Sequence, residues 1–293
     1  MKIGYFSVDR EHFIGAVLDD RVMNITAVPW RGDHPFLQDI TTLIKTGNFR
    51  PDLFCEIYEH GRSREELWHR LEEVTFLPLI RPGKIICLGL NYVEHAHEAG
   101  RERPEEPIYF EKAVSAIIAS GDTIICPDKI GRVDPEPELA VVIGREAKGV
   151  DAAEAGSCVA GYTILNDVTA RDMQRNDVGK RLPWYRSKSL DTFCPLGPWI
   201  VTADEIGLHE PLHIELRVNG ERRQEGSTGD LIFDIPSLIA RISSLITLEA
   251  GDVISTGTPE GIAPIYPGDL VEVEIERIGI LRNPVVGAPS GNR

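Results

Sequence analysis

Paired cysteines are missing from this 293-residue chain: its five, Cys55, Cys87, Cys126, Cys158 and Cys194, are odd in number and none stands in a C-x-x-C spacing. A zinc ribbon and a disulfide framework are both excluded on that ground, and the five read as small core residues of a protein from a reducing compartment. Long apolar runs are missing too. No stretch reaches the roughly eighteen residues of a membrane span, and the opening MKIGYFSVDREHF lacks the apolar core of a signal peptide. A cytoplasmic protein with no membrane partner is expected. Basic charge is scarce: 31 Lys and Arg stand against 46 Asp and Glu, a formal net charge of -15. The basic residues are scattered rather than gathered into a stripe, which excludes nucleic acid and anionic lipid as partners.

With 42% hydrophobic residues the chain can bury at least one full core, and its length suggests a large domain with a smaller companion. The first part opens with alternation (Ile3, Tyr5) and two strand-like runs around Asp19-Asp20, a hairpin pattern. DITTLIKTG reads as a short helix stopped at Gly47. Ser63 and Glu66 have capping-box spacing ahead of Leu67, Trp68, Leu71 and Val74, which predicts a second helix. The breakers Pro78, Pro82 and Gly83 place a boundary near residue 80, giving a small N-terminal α/β domain (1–80) and a larger one (81–293). Beyond it, KIICLGL, TIICP, ELAVVIG, VAGYTILND, PWIVT, LHIELRV, DVISTG and DLVEVEIERI read as strands. Val218-Asn219-Gly220-Glu221 signals a tight hairpin, and Asp234-Ile-Pro236 starts an amphipathic helix. Strands and helices do not alternate, so a mainly β, α+β roll or sandwich is expected rather than a Rossmann or barrel plan. The final GAPSGNR reads as a loose tail.

Glu136-Pro137-Glu138 leads directly into the apolar run LAVVIG. Residues two apart in an extended chain share a face, so the two carboxylates project together, and Pro137 restricts the place to an edge, bulge or strand start. Like charges that close need a positive partner, and a hard cation is the simplest one. Asp167, ending GYTILND, can add a third carboxylate from a neighbouring strand. Three carboxylates suit Mg²⁺ or Mn²⁺, where zinc would prefer His and Cys. In NYVEHAHE, a helical turn makes His95 and Glu98 i,i+3 neighbours, a workable general base with a carboxylate to orient it, although spacing alone leaves His97 as a competitor. Lys188, among Trp184, Phe193 and Trp199, can neutralise a substrate carboxylate or an oxyanion; an ordinary snorkelling lysine reads equally well. Arg171 and Gln174 follow Asp167 by four and seven residues, one face if the stretch is helical. The loop Ser255–Gly261, with Thr258 in it, offers hydroxyls and N–H groups to an anion.

Together GLNYVEHAHEAG, DPEPELAVVIG, GYTILNDVTARDMQ, SKSLDTFCPLGPW, VNGERRQEGSTGDLIFDI and ISTGTPEGI resemble the fumarylacetoacetate hydrolase family, in that family's order, over roughly residues 82 to 285. The resemblance implies metal ligands at Glu136, Glu138 and Asp167, a catalytic dyad of His95 and Glu98, and substrate contacts at Arg171, Gln174, Lys188 and Thr258. It also implies a β-rich roll, a homodimer, and a segment around 91–106 that closes over ligand. The chain departs at Pro137 and Ala113, in backbone rather than ligands, and lacks the fourth acidic ligand of the larger hydrolases, as the smaller acylpyruvase type does. The implied activity is metal-dependent carbon–carbon hydrolysis of a small 2-oxo acid of the acylpyruvate or fumarylpyruvate kind. Isomerisation of a 2-hydroxyhepta-2,4-diene-1,7-dioate and decarboxylation of oxaloacetate share the same electronic core. A metal-stabilised module without turnover would leave these polar residues incidental.

Overall fold

The computed structural model describes residues 1–30, 38–98 and 100–288. Strands Lys2–Val8, Glu11–Leu18 and Arg21–Asn24 form an antiparallel meander. Its first turn, Asp9-Arg10, has φ of 50° and 71°, the double left-handed geometry of a two-residue hairpin; the second falls at Asp19-Asp20, as the sequence predicts. The helix Ile40–Lys45 is capped by Asp39, whose carboxylate accepts the Thr42 N–H at 2.8 Å. A helix over Pro51–Gly61, not read from the sequence, starts with proline at its first position and buries Leu53, Phe54 and Ile57. Cys55 lies on the opposite face and is exposed, so the expectation of five core cysteines is corrected to four.

The helix expected after Ser63 does not form. Glu65–Leu67 makes one 3₁₀ turn without a Ser63 cap, and Trp68–Arg70 continues as a strand paired with Arg21–Asn24. Sheet pairing outweighs the capping pattern here because the Arg21–Asn24 strand would otherwise be left with an open edge. Trp68 adds to this, with its indole N–H donated to the Arg62 carbonyl at 3.1 Å and its ring edge-on to Tyr58.

Beyond the breakers at 78–83 the chain is mainly β, as expected. One 12-stranded sheet runs from Trp68–Arg70 through the N-terminal meander to Cys194–Thr202, Val159–Asn166, Pro137–Ile143, Val253–Ser255, Ile85–Gly89 and Ile108–Lys112. The N-terminal strands therefore join the same sheet as the later ones, with Lys2 and Ile3 facing Val201 and Ile200. A second sheet of five strands contains Glu221–Ser227, His213–Val218, Leu270–Ile275, Gly279–Gly287 and Ile124–Cys126. Its tight turn is the one the sequence signals, Asn219-Gly220 at φ 55° and 79°. The helix Ile235–Leu245, capped by Asp234, buries Leu238, Ile239 and Ile242. Of the tail, the Ala288 N–H still reaches the Cys126 carbonyl at 2.9 Å, and residues 289–293 lie outside the described part. No described helix is long and apolar enough to cross a membrane.

The two sequence departures have local explanations. Pro137 opens its strand opposite Asn166, where its missing N–H costs least. Ala113 donates its N–H to the Ser189 hydroxyl at 2.9 Å, a bond that proline would forfeit.

Close approach of Val159–Asn166, the strand that leads to Asp167, to its neighbour Cys194–Thr202 requires Gly161, where a Cβ would lie 2.2 Å from the Val201 carbonyl oxygen and 2.6 Å from Ile200 Cγ2. Gly161→Ala is expected to destabilise the fold by about 1–3 kcal/mol, read as a fall of several degrees in Tm. An unchanged Tm would mean that these strands part without cost.

Candidate metal centre

Glu136 stands one residue before the strand Pro137–Ile143 and Glu138 is its second member. The neighbouring antiparallel strand, Val159–Asn166, ends so that Asn166 faces Pro137 and Asp167 comes next. Two short bonds fix this corner: the Asp167 N–H donates to the Glu136 carbonyl at 2.8 Å, and the Asn166 side-chain oxygen accepts the Glu136 N–H at 3.0 Å. All three carboxylates are buried, and one oxygen from each lies within 4.8 Å of the others.

Cations surround the cluster. The Lys188 ammonium reaches Glu136 at 2.7 Å and Asp167 at 2.6 Å, and the Lys112 ammonium reaches the other Asp167 oxygen at 2.6 Å. Arg171 holds the second oxygen of Glu136, pairs with Asp134 at 2.6 Å, and donates to the Gln174 side-chain oxygen at 2.6 Å. Burial alone would push Glu136 up, but the charges of Lys188, Arg171 and His95 hold it well below the usual carboxylate range. Lys188 is driven down by burial and, more strongly, up by Asp167 and Glu136. Among the described residues no cation bonds Glu138, which accepts the Ser255 hydroxyl at 2.6 Å and the Gly257 N–H at 2.9 Å. Burial first, then the charges of Asp167 and Glu136, push its carboxyl up to about 8.

That imbalance tests the fit of an ion. A carboxyl raised first by burial and then by two neighbouring like charges marks a site short of positive charge, and the donors are all hard oxygens. Glu136, Glu138 and Asp167 therefore fit a divalent cation of the Mg²⁺ or Mn²⁺ type, with no His or Cys in the group to favour zinc.

The helix Val93–Glu98 brings His95 to the same place. Its Nδ1 lies 3.2 Å from Glu98, whose carboxylate in turn receives the Gly261 N–H at 3.2 and 3.3 Å. His95 is buried, whereas His97 pairs with Glu94 at 3.8 Å on the surface, both side chains more than half exposed. Asn91 ties this helix to the loop after Val253–Ser255, donating to the Thr256 carbonyl at 2.8 Å and accepting the Phe233 N–H at 2.9 Å. A cavity of about 470 Å³ opens here, lined by eight of the nine residues singled out from sequence, Asp167 lying behind, and walled by Phe110, Trp184 and Ile262.

The structure adds geometry to three of the sequence expectations. Asp167 does not share a helical face with Arg171 and Gln174: the short strand Thr169–Ala170 intervenes, paired with Val133–Asp134, and the helix begins only at Arg171. Lys188 meets the protein's own carboxylates rather than open space. The anion-binding loop at 255–261 spends its Ser255 hydroxyl and Gly257 N–H on Glu138 and its Gly261 N–H on Glu98. Buried polar residues around the site were missed, Lys112 and Gln224 among them. Lys112 ends the strand Ile108–Lys112, where a single lysine carries no spacing signal, and Gln224 is the one buried position of Glu221–Ser227.

Residues 84–286 match the family described as fumarylacetoacetate (FAA) hydrolase C-terminal. The human mitochondrial oxaloacetate tautomerase FAHD2A is 45% identical over 222 residues, 73% of this chain and 70% of that protein. Two solved structures align over nearly the whole chain. The 2-hydroxyhepta-2,4-diene-1,7-dioate isomerase from Mycobacterium marinum has a TM-score of 0.76 and 33% identity, covering 100% of both chains. The maleylpyruvate hydrolase from Sphingobium sp. SYK-6, in complex with manganese(II) and pyruvate, has a TM-score of 0.77 and 31% identity, covering 99% of this chain and 100% of that one. On the family match over residues 84–286 and the 45% identical relative, this chain belongs to the fumarylacetoacetate hydrolase family.

Proposed function

We propose that the protein is a divalent-metal-dependent hydrolase that cleaves a carbon–carbon bond in an acylpyruvate-type 2,4-dioxo acid. The observation that carries this reading is the opening of one cavity onto both the His95–Glu98 pair and the buried carboxylates. When held by Glu136, Glu138 and Asp167, the ion supplies a Lewis-acidic charge for the carboxylate and keto oxygens of a 2-oxo acid.

The chain's own residues then divide the work. His95 takes a proton from water, and Glu98 balances the charge the imidazole gains. The hydroxide attacks the carbonyl remote from the carboxylate. Lys188 has two of its three protons engaged with Glu136 and Asp167, leaving one donor for the oxyanion that forms. The side-chain oxygen of Gln174 accepts from Arg171, so its NH₂ group remains for the ligand. Collapse of the oxyanion breaks the carbon–carbon bond and leaves the electron pair on the pyruvate fragment. Return of the proton from His95 to that carbon completes pyruvate and a carboxylic acid.

A second reading draws support from the 45% identical oxaloacetate tautomerase, and the isomerase among the solved structures points the same way. Without delivery of water, His95 takes its proton from the substrate itself and returns it to a different atom of the same substrate, giving tautomerisation or isomerisation; loss of CO₂ from oxaloacetate is the related outcome. Incubation with acylpyruvates, fumarylpyruvate, oxaloacetate and a hydroxy-diene-dioate separates these by product mass. The hydrolase reading expects metal-dependent pyruvate plus acid, and a kcat lowered about 10²- to 10⁴-fold in His95→Ala. Isomer or CO₂ alone would establish the second reading. Metal binding with no turnover of any of these substrates would leave only a binding module, and turnover untouched in His95→Ala would remove His95 from the mechanism.

Metal affinity is expected to depend on pH with a definite sign. With its carboxyl pushed up to about 8, Glu138 is protonated at neutrality and must lose that proton to become a ligand. Mn²⁺ affinity should therefore rise about tenfold per pH unit below that value and level off above it, with proton release on binding. Titration in buffers of different ionisation enthalpy reads this, and a flat profile between about pH 6 and 8 would contradict it. The family resemblance also supports a homodimer, for which light scattering should give twice the 32.5 kDa of the chain.

A further inference from the structure

Gln224 is buried at 2% exposure on a strand whose other residues are all exposed or half-exposed. A buried glutamine needs partners for its amide. Its Nε2 donates to the Pro259 carbonyl at 2.9 Å and to the Thr258 hydroxyl oxygen at 3.1 Å, while its Oε1 has no partner among the described residues.

The direction of these bonds follows from one acceptor. The Pro259 carbonyl has no proton to give, so the amide atom facing it must be the NH₂ group. That group's second proton then goes to Thr258, which fixes the threonine oxygen as an acceptor there. The single hydroxyl proton of Thr258 is left for a different partner, and Thr258 lines the cavity. A threonine free of Gln224 can rotate and offer a lone pair instead, which repels an anion.

The same strand shapes the rest of the loop. A Cβ on Gly226 would lie 2.7 Å from the Pro259 ring, and one on Gly261 would lie 2.9 Å from the Arg223 carbonyl oxygen. Gly261, at φ +96°, is the residue whose N–H holds Glu98. The Gln224 amide is thus one polar fastening of a loop that bears on both the cavity hydroxyl and the carboxylate behind His95.

We infer that Gln224 is a positioning residue that commits the Thr258 hydroxyl to donate its proton into the cavity, toward the carboxylate of the substrate. This rests on the reading of the cavity as a site for a 2-oxo acid.

The test is a double-mutant cycle. Metal-loaded wild type, Gln224→Met, Thr258→Val, Thr258→Ser and the two double variants are titrated with pyruvate by calorimetry, with KM and kcat measured in parallel and Tm recorded for each. Gln224→Met keeps the volume but donates nothing. It should weaken pyruvate binding about tenfold in wild type and again in Thr258→Ser, and by less than about twofold in Thr258→Val, with KM moving more than kcat. Equal loss in all three backgrounds, or loss in none, overturns the inference while the reading of the site stands. Wild-type protein that binds Mn²⁺ but not pyruvate overturns that reading and this inference with it.

Discussion

Three carboxylates share a dry corner of a β-sheet, and most of what surrounds them exists to make that tolerable. Charge of one sign taken out of water must be compensated on the spot. Glu136 and Asp167 are compensated by Lys188, Lys112 and Arg171, and Glu138 is left with a hydroxyl and a backbone N–H. The asymmetry is the chemically useful part. Two carboxylates are paired with cations in a rigid frame, and the third, bonded to no cation, is the one that a divalent ion would complete.

The frame is supplied by strand pairing rather than by loops. Antiparallel register sets Asn166 against Pro137, so Asp167 arrives beside Glu136 as a consequence of the ladder itself. The next strand over, Val253–Ser255, faces Ala140 to Val142 and delivers Ser255 and Gly257 to Glu138. The dyad comes from the element after Ile85–Gly89, which pairs in parallel with that same strand. Four neighbouring segments of one sheet thus converge on a single cavity, with Asn91 as the polar tie between the last two.

Much of this was legible because the relevant signals are local. Glu136 and Glu138 share a face by the period of a strand, and His95 meets Glu98 by the period of a helix. The strands of the larger segment read well because each is a short Val- and Ile-rich run with turn residues at its ends. Illegible features are those decided across the chain. Trp68 became a strand because an unpaired edge was waiting at Arg21–Asn24, a fact no window around Ser63 contains. Lys112 lies 55 positions from the carboxylate it neutralises, and Gln224 lies 34 from the hydroxyl it holds, so neither had a spacing to betray it. The Pro51–Gly61 helix, by contrast, had its signals in place, with Pro51 at the first position and Leu53, Phe54 and Ile57 on one face.

The pairing of Lys2 and Ile3 with Val201 and Ile200 bears on how the family's shared part can be divided from the rest. The matched region begins only at residue 84, yet one of its central strands, Cys194–Thr202, uses the chain's first strand as its neighbour. Cut away from that neighbour, the strand would present a row of bare N–H and C=O groups, a template for unwanted self-association. Any relative that carries the matched region without an equivalent first strand must shield that margin by other means, with another chain segment, another subunit or a charged rim. The N-terminal meander is in this sense a guard against aggregation for the region matched by the family.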